Sequence, residues 1–295
     1  MTQNMDRDSL ALARTTWRTL EPYHGAVYFS PEAADLYAEL GVDARTGYFA
    51  SRSAALGAVP ADLVIATFYN FSPELVRRAI PAAWEAATPQ RFAAARLTGI
   101  DATLRRILGA DVSSPALARA AELARTAAEV TMRHPQGRPL FAAHAALPWP
   151  SEPHLVLWHA QTLLREFRGD GHVAALLAAG LSGIEALVTH AAGGDIDGEV
   201  LRTSRGWTPE QWGQAVQSLR ERGWLDDVSH LALSEEGARR RAEIEDTTDG
   251  LAALPYVTLG PAACAELSSL VRPFSLSVAK ELLPWAVDRL SEEST

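Results

Sequence analysis

The sequence predicts an all-α protein, a pseudo-repeated helical bundle with a C-terminal winged helix-turn-helix that carries a short β-hairpin. Nearly every segment longer than ten residues has apolar residues at helical spacing, and alternating β-branched runs are scarce. A later stretch of the chain has the order of elements that a winged helix needs. Helix starts are marked by a capping residue before a proline, at Ser30-Pro31, Ser72-Pro73, Thr88-Pro89, Ser114-Pro115 and Thr208-Pro209.

The candidate helices follow one another along both halves of the chain. In the first half they are predicted over 7–22, 31–40, 44–57, 60–71, 73–87, 89–108 and 115–132. In the second half they are predicted over 151–168, 171–180, 182–192, 197–204, 208–223, 235–253 and 261–291, the last broken at Pro273.

A Pro-rich stretch around 134–153 is typical of a connector. It divides the chain into an N-terminal helical unit, 1–133, which resembles a degenerate helix-turn-helix, and a second unit, 134–295. The second unit contains the winged helix-turn-helix, 197–254, and the C-terminal helices.

The two halves contain an apparent internal repeat. Aligned without a gap, residues 49–67 resemble residues 141–159. Alanine-rich helices also match by chance, so two unrelated halves are the alternative. A true repeat would make the protein a pair of similar helical units, and a pocket between such units is a natural ligand site.

Charge bears on the partners that the protein can bind. The formal net charge is −9, whereas proteins that bind phosphate backbones usually present a basic patch. A local patch can suffice, so DNA is a partner that the charge supports only weakly.

The sequence also indicates where the protein resides. The single cysteine, Cys264, excludes an intrachain disulfide and a thiolate metal cluster. The N-terminus lacks the basic start and apolar run of a signal peptide, and no apolar stretch reaches the roughly 20 residues of a membrane span. We therefore expect a cytoplasmic protein with no membrane partner.

The predicted winged helix-turn-helix is a short helix, a tight turn at Arg205-Gly206-Trp207, a second helix, the strand-like Leu231-Ala232-Leu233 and a third helix. The wing tip, Asp226-Asp227, is acidic where a phosphate-binding wing would be basic. A module that has lost DNA affinity and serves as a structural or homodimerisation unit is the alternative. The exposed positions of the second helix are predicted to be Thr208, Glu210, Gln211, Gln214, Gln217 and Arg220.

The richest polar stretch is residues 154–172. His159 and Glu166, seven residues apart, are predicted to stack at the border of an apolar helix face, where a histidine can couple to a carboxylate or a ligand. The Arg168–His172 segment is predicted to break the helix, with Asp170 capping the next one and creating an anion site beside His172. The alternative is a solvated face with ordinary ion pairs.

The histidines match no common metal-ligand spacing, so no metal site is predicted. A haem held by one axial histidine would leave no spacing to recognise, which keeps that cofactor open.

A second cluster gathers aromatic residues of the first half: Tyr23-His24, Tyr28-Phe29, Tyr48-Phe49 with Arg52, and Phe68-Tyr69-Asn70-Phe71. Aromatic rings with a few polar tips line pockets for flat organic ligands, although they also fill helical cores. We expect a small apolar or aromatic ligand between the two units. The candidate ligand-binding residues are Tyr23, His24, Tyr48, Arg52, Tyr69, Asn70, His154, His159, Arg165, Glu166, Asp170 and His172.

Two other functions remain as hypotheses. An enzyme of secondary metabolism would use His159 or His172 as general acid or base, oriented by Glu166. A regulator that binds DNA alone is the other.

Several phrases are distinctive, among them EPYHGAVYFSPEA, GYFASRSAALGAVP, ATFYNFSPELV and SRGWTPEQW. Through these segments, which are spread over almost the whole chain, the sequence resembles an actinobacterial helix-turn-helix family of MarR-like winged-helix proteins. The segment Leu231–Asp249 resembles the passage from wing to helix in the MarR group. The resemblance implies the winged-helix fold and no established activity. The leading hypothesis, a small-molecule-binding winged-helix protein that serves as a ligand-responsive, MarR-like transcriptional regulator, depends on the aromatic and titratable residues gathered in the two halves.

Overall fold

A computed structural model describes residues 6–194, 196–228 and 230–292 as a bundle of α-helices. The first helices are α1 (Arg7–Gly25), α2 (Pro31–Glu39), α3 (Ala44–Ser53), α4 (Ala61–Phe68), α5 (Pro73–Ala79), α6 (Ala82–Ala86), α7 (Pro89–Leu108) and α8 (Pro115–Thr131). After them come α9 (Pro139–Ala145), α10 (Pro153–Ala178), α11 (Gly183–Ala192), α12 (Gly198–Ser204) and α13 (Pro209–Glu221). The last are α14 (Glu235–Ala252), α15 (Leu254–Leu259), α16 (Pro261–Leu282) and α17 (Val287–Glu292). The predicted all-α class is confirmed.

The predicted break at Arg168–His172 is wrong. Helix α10 continues for 26 residues through this segment. Its interior glycines are covered, because Gly171 packs against Arg138 and Leu251, and α10 packs against both α8 and α14. Tertiary packing therefore outweighs the low helix propensity of glycine. Asp170 caps no following helix; its carboxylate accepts a hydrogen bond from the backbone N–H of Phe141 in α9 instead.

The predicted break at Pro273 is also wrong, because α16 passes through this proline. Its buried residues Leu267, Val271, Phe274 and Val278 hold the helix on both sides of the proline. Helix α9 lies inside the stretch that the sequence analysis assigned to a connector.

The predicted β-hairpin of the wing is not formed as strands. In the residues described between α13 and α14, one antiparallel bridge joins Leu225 and Leu233. Ser234 N–H donates to the Trp224 carbonyl at 3.1 Å, so the two ends of the segment are held together. Ser229, within this segment, lies outside the described residues.

Helix α10 lies at the centre of the fold and packs against α8, α14, α9 and α1. The largest core includes Leu104 and Ala124 from the first half together with Leu163 and Val271 from the second. A smaller core surrounds Phe49, and another surrounds Leu219 and Trp224 of the C-terminal module. The division at residue 133 and the internal repeat stay predictions.

Among the described residues, no single helix is long and apolar enough to cross a membrane. Two sharply bent pairs, α3 with its following turn plus α4, and α10 plus α11, would pass such a test by length and composition only.

Candidate functional site

Helices α11, α12 and α13 form the C-terminal helix-turn-helix module. Thr208 caps α13: its hydroxyl accepts from the Gln211 N–H at 3.2 Å, and the Gln211 side chain accepts from the Thr208 N–H at 3.0 Å. Gly206 supplies the positive φ of +77° in the turn before α13. The helix–turn–helix order predicted from the sequence is therefore present.

The turn after α4, residues 69–72, holds this module; we call their contact the seam. The Tyr69 hydroxyl donates to the Leu181 carbonyl just before α11. The Trp207 indole N–H donates to the Asn70 carbonyl at 2.9 Å, and the Ser72 N–H donates to the Arg205 carbonyl at 2.9 Å. The bonds reach the module at two places, the start of its first helix and the turn between α12 and α13.

Backbone geometry at the seam is tight. A Cβ atom added to Gly183 would lie 1.9 Å from the Tyr69 carbonyl oxygen, so only glycine allows this approach. Tyr69 itself has a φ of +38°, a conformation that a non-glycine residue adopts at a cost in energy. Such strained residues concentrate at ligand sites and switches.

A cavity of about 440 Å³ lies along the seam, and we call it the seam cavity. Its walls come from α1, α3, the segment 67–71, α10, α11, the end of α12 and α14. Trp17, Phe68, Tyr69 and Phe71 provide aromatic surface, and arginine and carboxylate side chains provide the polar groups. Both the turn and the helix-turn-helix module are therefore walls of one cavity.

A network of ion pairs closes one part of the seam cavity around Glu166. Arg52 Nη2 lies 3.2 Å from Glu166 Oε1, and Arg165 Nη1 lies 3.0 Å from the same oxygen. Arg52 also donates to the Tyr48 hydroxyl at 2.7 Å. Burial alone would raise the pKa of Glu166, but the charges of Arg52 and Arg165 outweigh burial and hold that pKa well below its ordinary value.

The arginines on α10 and α14 also have partners. Arg168 Nη1 lies 2.6 Å from Asp249 Oδ1, and Arg241 Nη2 lies 2.7 Å from His190 Nδ1. Arg205 is bonded only in part. Its Nη1 donates to the Ser204 hydroxyl at 3.0 Å, whereas its Nε is buried with no hydrogen-bond partner among the described residues. The Arg205 guanidinium lies 5.0 Å from the centre of the Phe71 ring, and burial lowers the pKa of Arg205.

Asp170 and His172 lie in the wall of the same cavity. Asp170 accepts from Phe141 N–H at 2.9 Å, and burial raises its pKa to about 6. His172 Nδ1 lies 2.9 Å from the Thr248 hydroxyl, and burial lowers its pKa. Because α10 is unbroken here, the predicted anion site at a helix N-terminus beside His172 is not formed.

The structure brings most of the predicted ligand-binding residues to the seam cavity. Those that line it are Arg52, Tyr69, Asn70, Arg165, Glu166, Asp170 and His172.

The other predicted residues lie elsewhere. Tyr23 is in the core and donates to the His154 carbonyl at 3.1 Å, while the His154 ring lies 2.5 Å from Asp101 Oδ1. His24 is buried between Tyr28 and Thr162. Tyr48 accepts the hydrogen bond from Arg52 without lining the seam cavity.

His159 and Glu166 do not share a cavity. Seven residues along a helix correspond to roughly 10 Å along its axis, and His159 lines a second, smaller cavity. Its ring makes an edge contact with Trp149, 4.8 Å between ring centres. The pair His159–Glu166 therefore lacks a common site, whereas His172 lines the seam cavity together with Glu166. The enzyme hypothesis stays a prediction.

Arg96 and Arg205 are not among the residues that the sequence predicts for the site. The signal for Arg96 was available: it lies on the stripe of α7 that also carries Phe92 and Ile100, both buried. An arginine on an apolar stripe is an exception that calls for a partner. Arg205 gave no comparable signal because it stands in a turn.

The outer face of the module carries little positive charge. Glu210, Gln214 and Gln217 are exposed on α13, and Asp226 and Asp227 are exposed after it. Of the nearby arginines, Arg220 donates to the Val228 carbonyl at 3.0 Å and Arg222 pairs with Glu185 at 2.7 Å.

The chain was compared with known proteins. Neither the comparison with curated proteins nor that with solved structures finds a match. A family model described as a helix-turn-helix family matches residues 13–284, nearly the whole chain, and such a domain suggests a DNA-binding, regulator-like role. The module at the seam and this match agree: the chain belongs to the helix-turn-helix family.

Proposed function

We propose that the protein is a ligand-responsive helix-turn-helix regulator and that the seam cavity holds its ligand. The observation that carries this proposal is that one cavity of about 440 Å³ is walled both by the turn that holds the helix-turn-helix module and by the module itself. Volumes of about 300–1,000 Å³ are typical of small-molecule sites. A molecule in this cavity would touch both partners of the seam at once.

The walls favour a flat aromatic ligand with a hydrogen-bond acceptor. Phe68, Tyr69 and Phe71 offer aromatic faces and edges. Arg205 offers its buried Nε–H, for which the described residues provide no acceptor. An acceptor oxygen on the ligand would satisfy this donor, and a buried donor without a partner costs about 1–3 kcal/mol.

The coupling to the module follows from the hydrogen bonds of the seam. Tyr69 and Asn70 line the cavity and also bond to the module, Tyr69 just before α11 and Asn70 at the turn between α12 and α13. A ligand that prefers one position of this turn shifts the module toward the matching position, by as much as its affinities for the two positions differ. The strained φ of Tyr69 supports a turn with two arrangements.

DNA binding by this module would depend on few phosphate contacts, since the exposed face of α13 is nearly neutral and the segment after it is acidic. We therefore propose that DNA affinity falls only slowly as the salt concentration rises, with a slope of about −2 to −3 in a plot of log K for DNA binding against log salt concentration. The MarR-like winged helix belongs to this proposal, as does a homodimer that would present two modules to one DNA site.

Native mass spectrometry of freshly purified protein tests occupancy. Val173 lines the seam cavity, whereas the adjacent Ala174 on α10 is exposed. Val173→Phe fills the cavity, and Ala174→Phe is the matched control on the same helix. We expect a one-to-one adduct of a small organic molecule on the wild type and on Ala174→Phe, and none on Val173→Phe. An adduct retained by Val173→Phe, or bare polypeptide in all three proteins, would contradict the proposal.

A further inference from the structure

The second cavity, of about 180 Å³, lies between α7, α9, α10 and the segment 147–150; we call it the Arg96 cavity. Its walls are mostly apolar, with Ala93, Leu97, Leu147, Pro148 and Trp158 among them. Its polar groups are guanidinium, imidazole and hydroxyl groups, and the described lining residues include no carboxylate.

Arg96 in this wall is buried without partners. It is 4% exposed, and none of its three guanidinium nitrogens has a hydrogen-bond partner in the described structure. His159 Nε2, in the same wall, is likewise buried and has no hydrogen-bond partner among the residues described. Arginine carries its charge at every physiological pH, and buried donors are normally bonded.

Aromatic rings offset only part of this cost. The Arg96 guanidinium carbon lies 5.2 Å from the centre of the Trp158 ring and 5.5 Å from the centre of the Tyr28 ring. The Tyr28 ring is shared, because the guanidinium carbons of Arg52 and Arg165 each lie 5.4 Å from its centre. Ring contacts attract the cation but leave its N–H groups without acceptors.

Positive charge exceeds negative charge around this ring. Glu166 is the carboxylate that Arg52 and Arg165 share, and Arg165 also reaches Glu21 at 3.2 Å. Arg96 has no ion pair among the described residues. One more anion would balance the group, and the open space next to Arg96 is the Arg96 cavity.

We propose that the Arg96 cavity binds a small organic monocarboxylate, with its carboxylate on the Arg96 guanidinium and its apolar body against Leu97, Leu147 and Trp158. A planar guanidinium fits a carboxylate through two parallel hydrogen bonds. A dry cavity of about 150 Å³ accepts benzene, so the volume here matches a body of about one aromatic ring. This site is separate from the seam cavity and goes beyond the proposed function.

The histidines of the wall fix the number of negative charges on the ligand. Burial, followed by the charge of Arg96, lowers the pKa of His144 to about 3 and that of His159 to about 4. Both rings are neutral at pH 7, so one full positive charge faces the cavity. A monoanion matches it, and a second charge on the ligand would stay unpaired.

Isothermal titration of the full-length protein with benzoate tests the site, with benzamide as the neutral probe of the same shape. We expect saturable one-to-one binding of benzoate and a loss of about tenfold or more in affinity for benzamide. Arg96→Met should reduce benzoate affinity by about tenfold or more. Arg91→Met, an exposed arginine on the same helix, is the matched control and should leave it unchanged.

Stability without ligand separates a binding role from a structural role. Methionine removes an unpaired buried charge, so we expect the melting temperature of Arg96→Met to equal or exceed that of the wild type without benzoate. Should Arg96→Met fail to fold, Arg96→Lys is the second variant. Lysine keeps the positive charge but lacks the paired N–H donors of the planar guanidinium, so this variant should bind benzoate measurably more weakly than the wild type.

Several results would overturn the site. They are equal binding of benzoate and benzamide, full benzoate binding by the arginine variants that fold, or no binding of benzoate or phenylacetate by the wild type at millimolar concentration. Val173→Phe fills only the seam cavity and should bind benzoate as the wild type does. A failure of the Arg96 site can therefore be distinguished from a failure of the proposed function.

Discussion

The two cavities differ in how one buried arginine of each, Arg52 and Arg96, is held. At the seam cavity, Arg52 donates from its two Nη atoms to Tyr48 and Glu166, and only its Nε has no partner among the described residues. At the Arg96 cavity, Arg96 is equally buried, and none of its guanidinium nitrogens has a hydrogen-bond partner in the part of the chain that the structure describes. Removing one partner of a buried ion pair leaves an uncompensated charge and is strongly destabilising, whereas replacing a buried charge that has no partner removes such a cost. The comparison therefore predicts that neutralising Glu166 lowers the stability of the fold, whereas neutralising Arg96 does not lower it.

The largest effect is expected at the paired region. Glu166→Gln leaves two guanidinium groups without their shared carboxylate, and breaking a buried pair costs about 3–5 kcal/mol. Urea unfolding should show this loss in the free energy of unfolding. Glu129→Gln, which breaks an exposed pair with Arg125, should cost less than about 0.5 kcal/mol. Equal costs for the two variants would contradict the contrast between buried and exposed pairs.

A smaller effect is expected where the backbones meet at the seam. Gly183→Ala places a methyl group against the Tyr69 carbonyl, so the turn must move away from α11. This should lower the free energy of unfolding by about 1–3 kcal/mol. Gly213→Ala is the matched control in α13, because nothing lies near its added methyl. It should stabilise the protein by about 0.5–1 kcal/mol. Thermal unfolding of both variants measures the difference, and two effects of the same sign would contradict the close approach.

The pH dependence of stability probes Asp170. Burial raises its pKa to about 6, above the ordinary 3.8, so the folded state favours the protonated carboxyl. The stability that this group contributes is complete below pH 3.8 and is lost as the pH rises through about 6. Asp170→Asn removes this loss, worth roughly 1–3 kcal/mol, and keeps an acceptor for the Phe141 N–H.

Urea unfolding of Asp170→Asn and the wild type between pH 4 and pH 7 measures the difference. The variant should gain stability relative to the wild type as the pH rises. Asp62→Asn, on the surface, should follow the wild-type curve. A wild type whose stability, relative to Asp170→Asn, rises with pH would contradict the assigned direction.

Local signals in the sequence predicted the helices well where the chain caps itself. Ser30, Thr88, Ser114 and Thr208 each accept a backbone hydrogen bond at the predicted helix start. The wrong breaks at Arg168–His172 and Pro273 share one cause: packing along the whole helix outweighed a local preference that the sequence shows clearly.

The candidate site was predictable in part. The residues of α10 and of the turn after α4 reach one cavity, as the polar and aromatic clusters indicated. Tyr23, His24 and His154 lie in the core and not at the seam cavity, because aromatic and imidazole rings also serve as core residues, and periodicity does not separate the two roles. Which buried arginine lacks a partner depends on contacts between distant segments, so Arg96 could be suspected from its stripe but not assigned.

The central claim is that the seam cavity controls the helix-turn-helix module, and DNA affinity tests it most directly. Fluorescence anisotropy with duplex DNA from upstream of the protein's own coding sequence, at low salt, compares the wild type with Val173→Phe and Ala174→Phe. We predict that filling the cavity changes the Kd by about fivefold or more, the scale of an allosteric coupling, while the exposed control stays within about twofold. Identical Kd values for all three proteins, or no binding by any of them, would contradict the account.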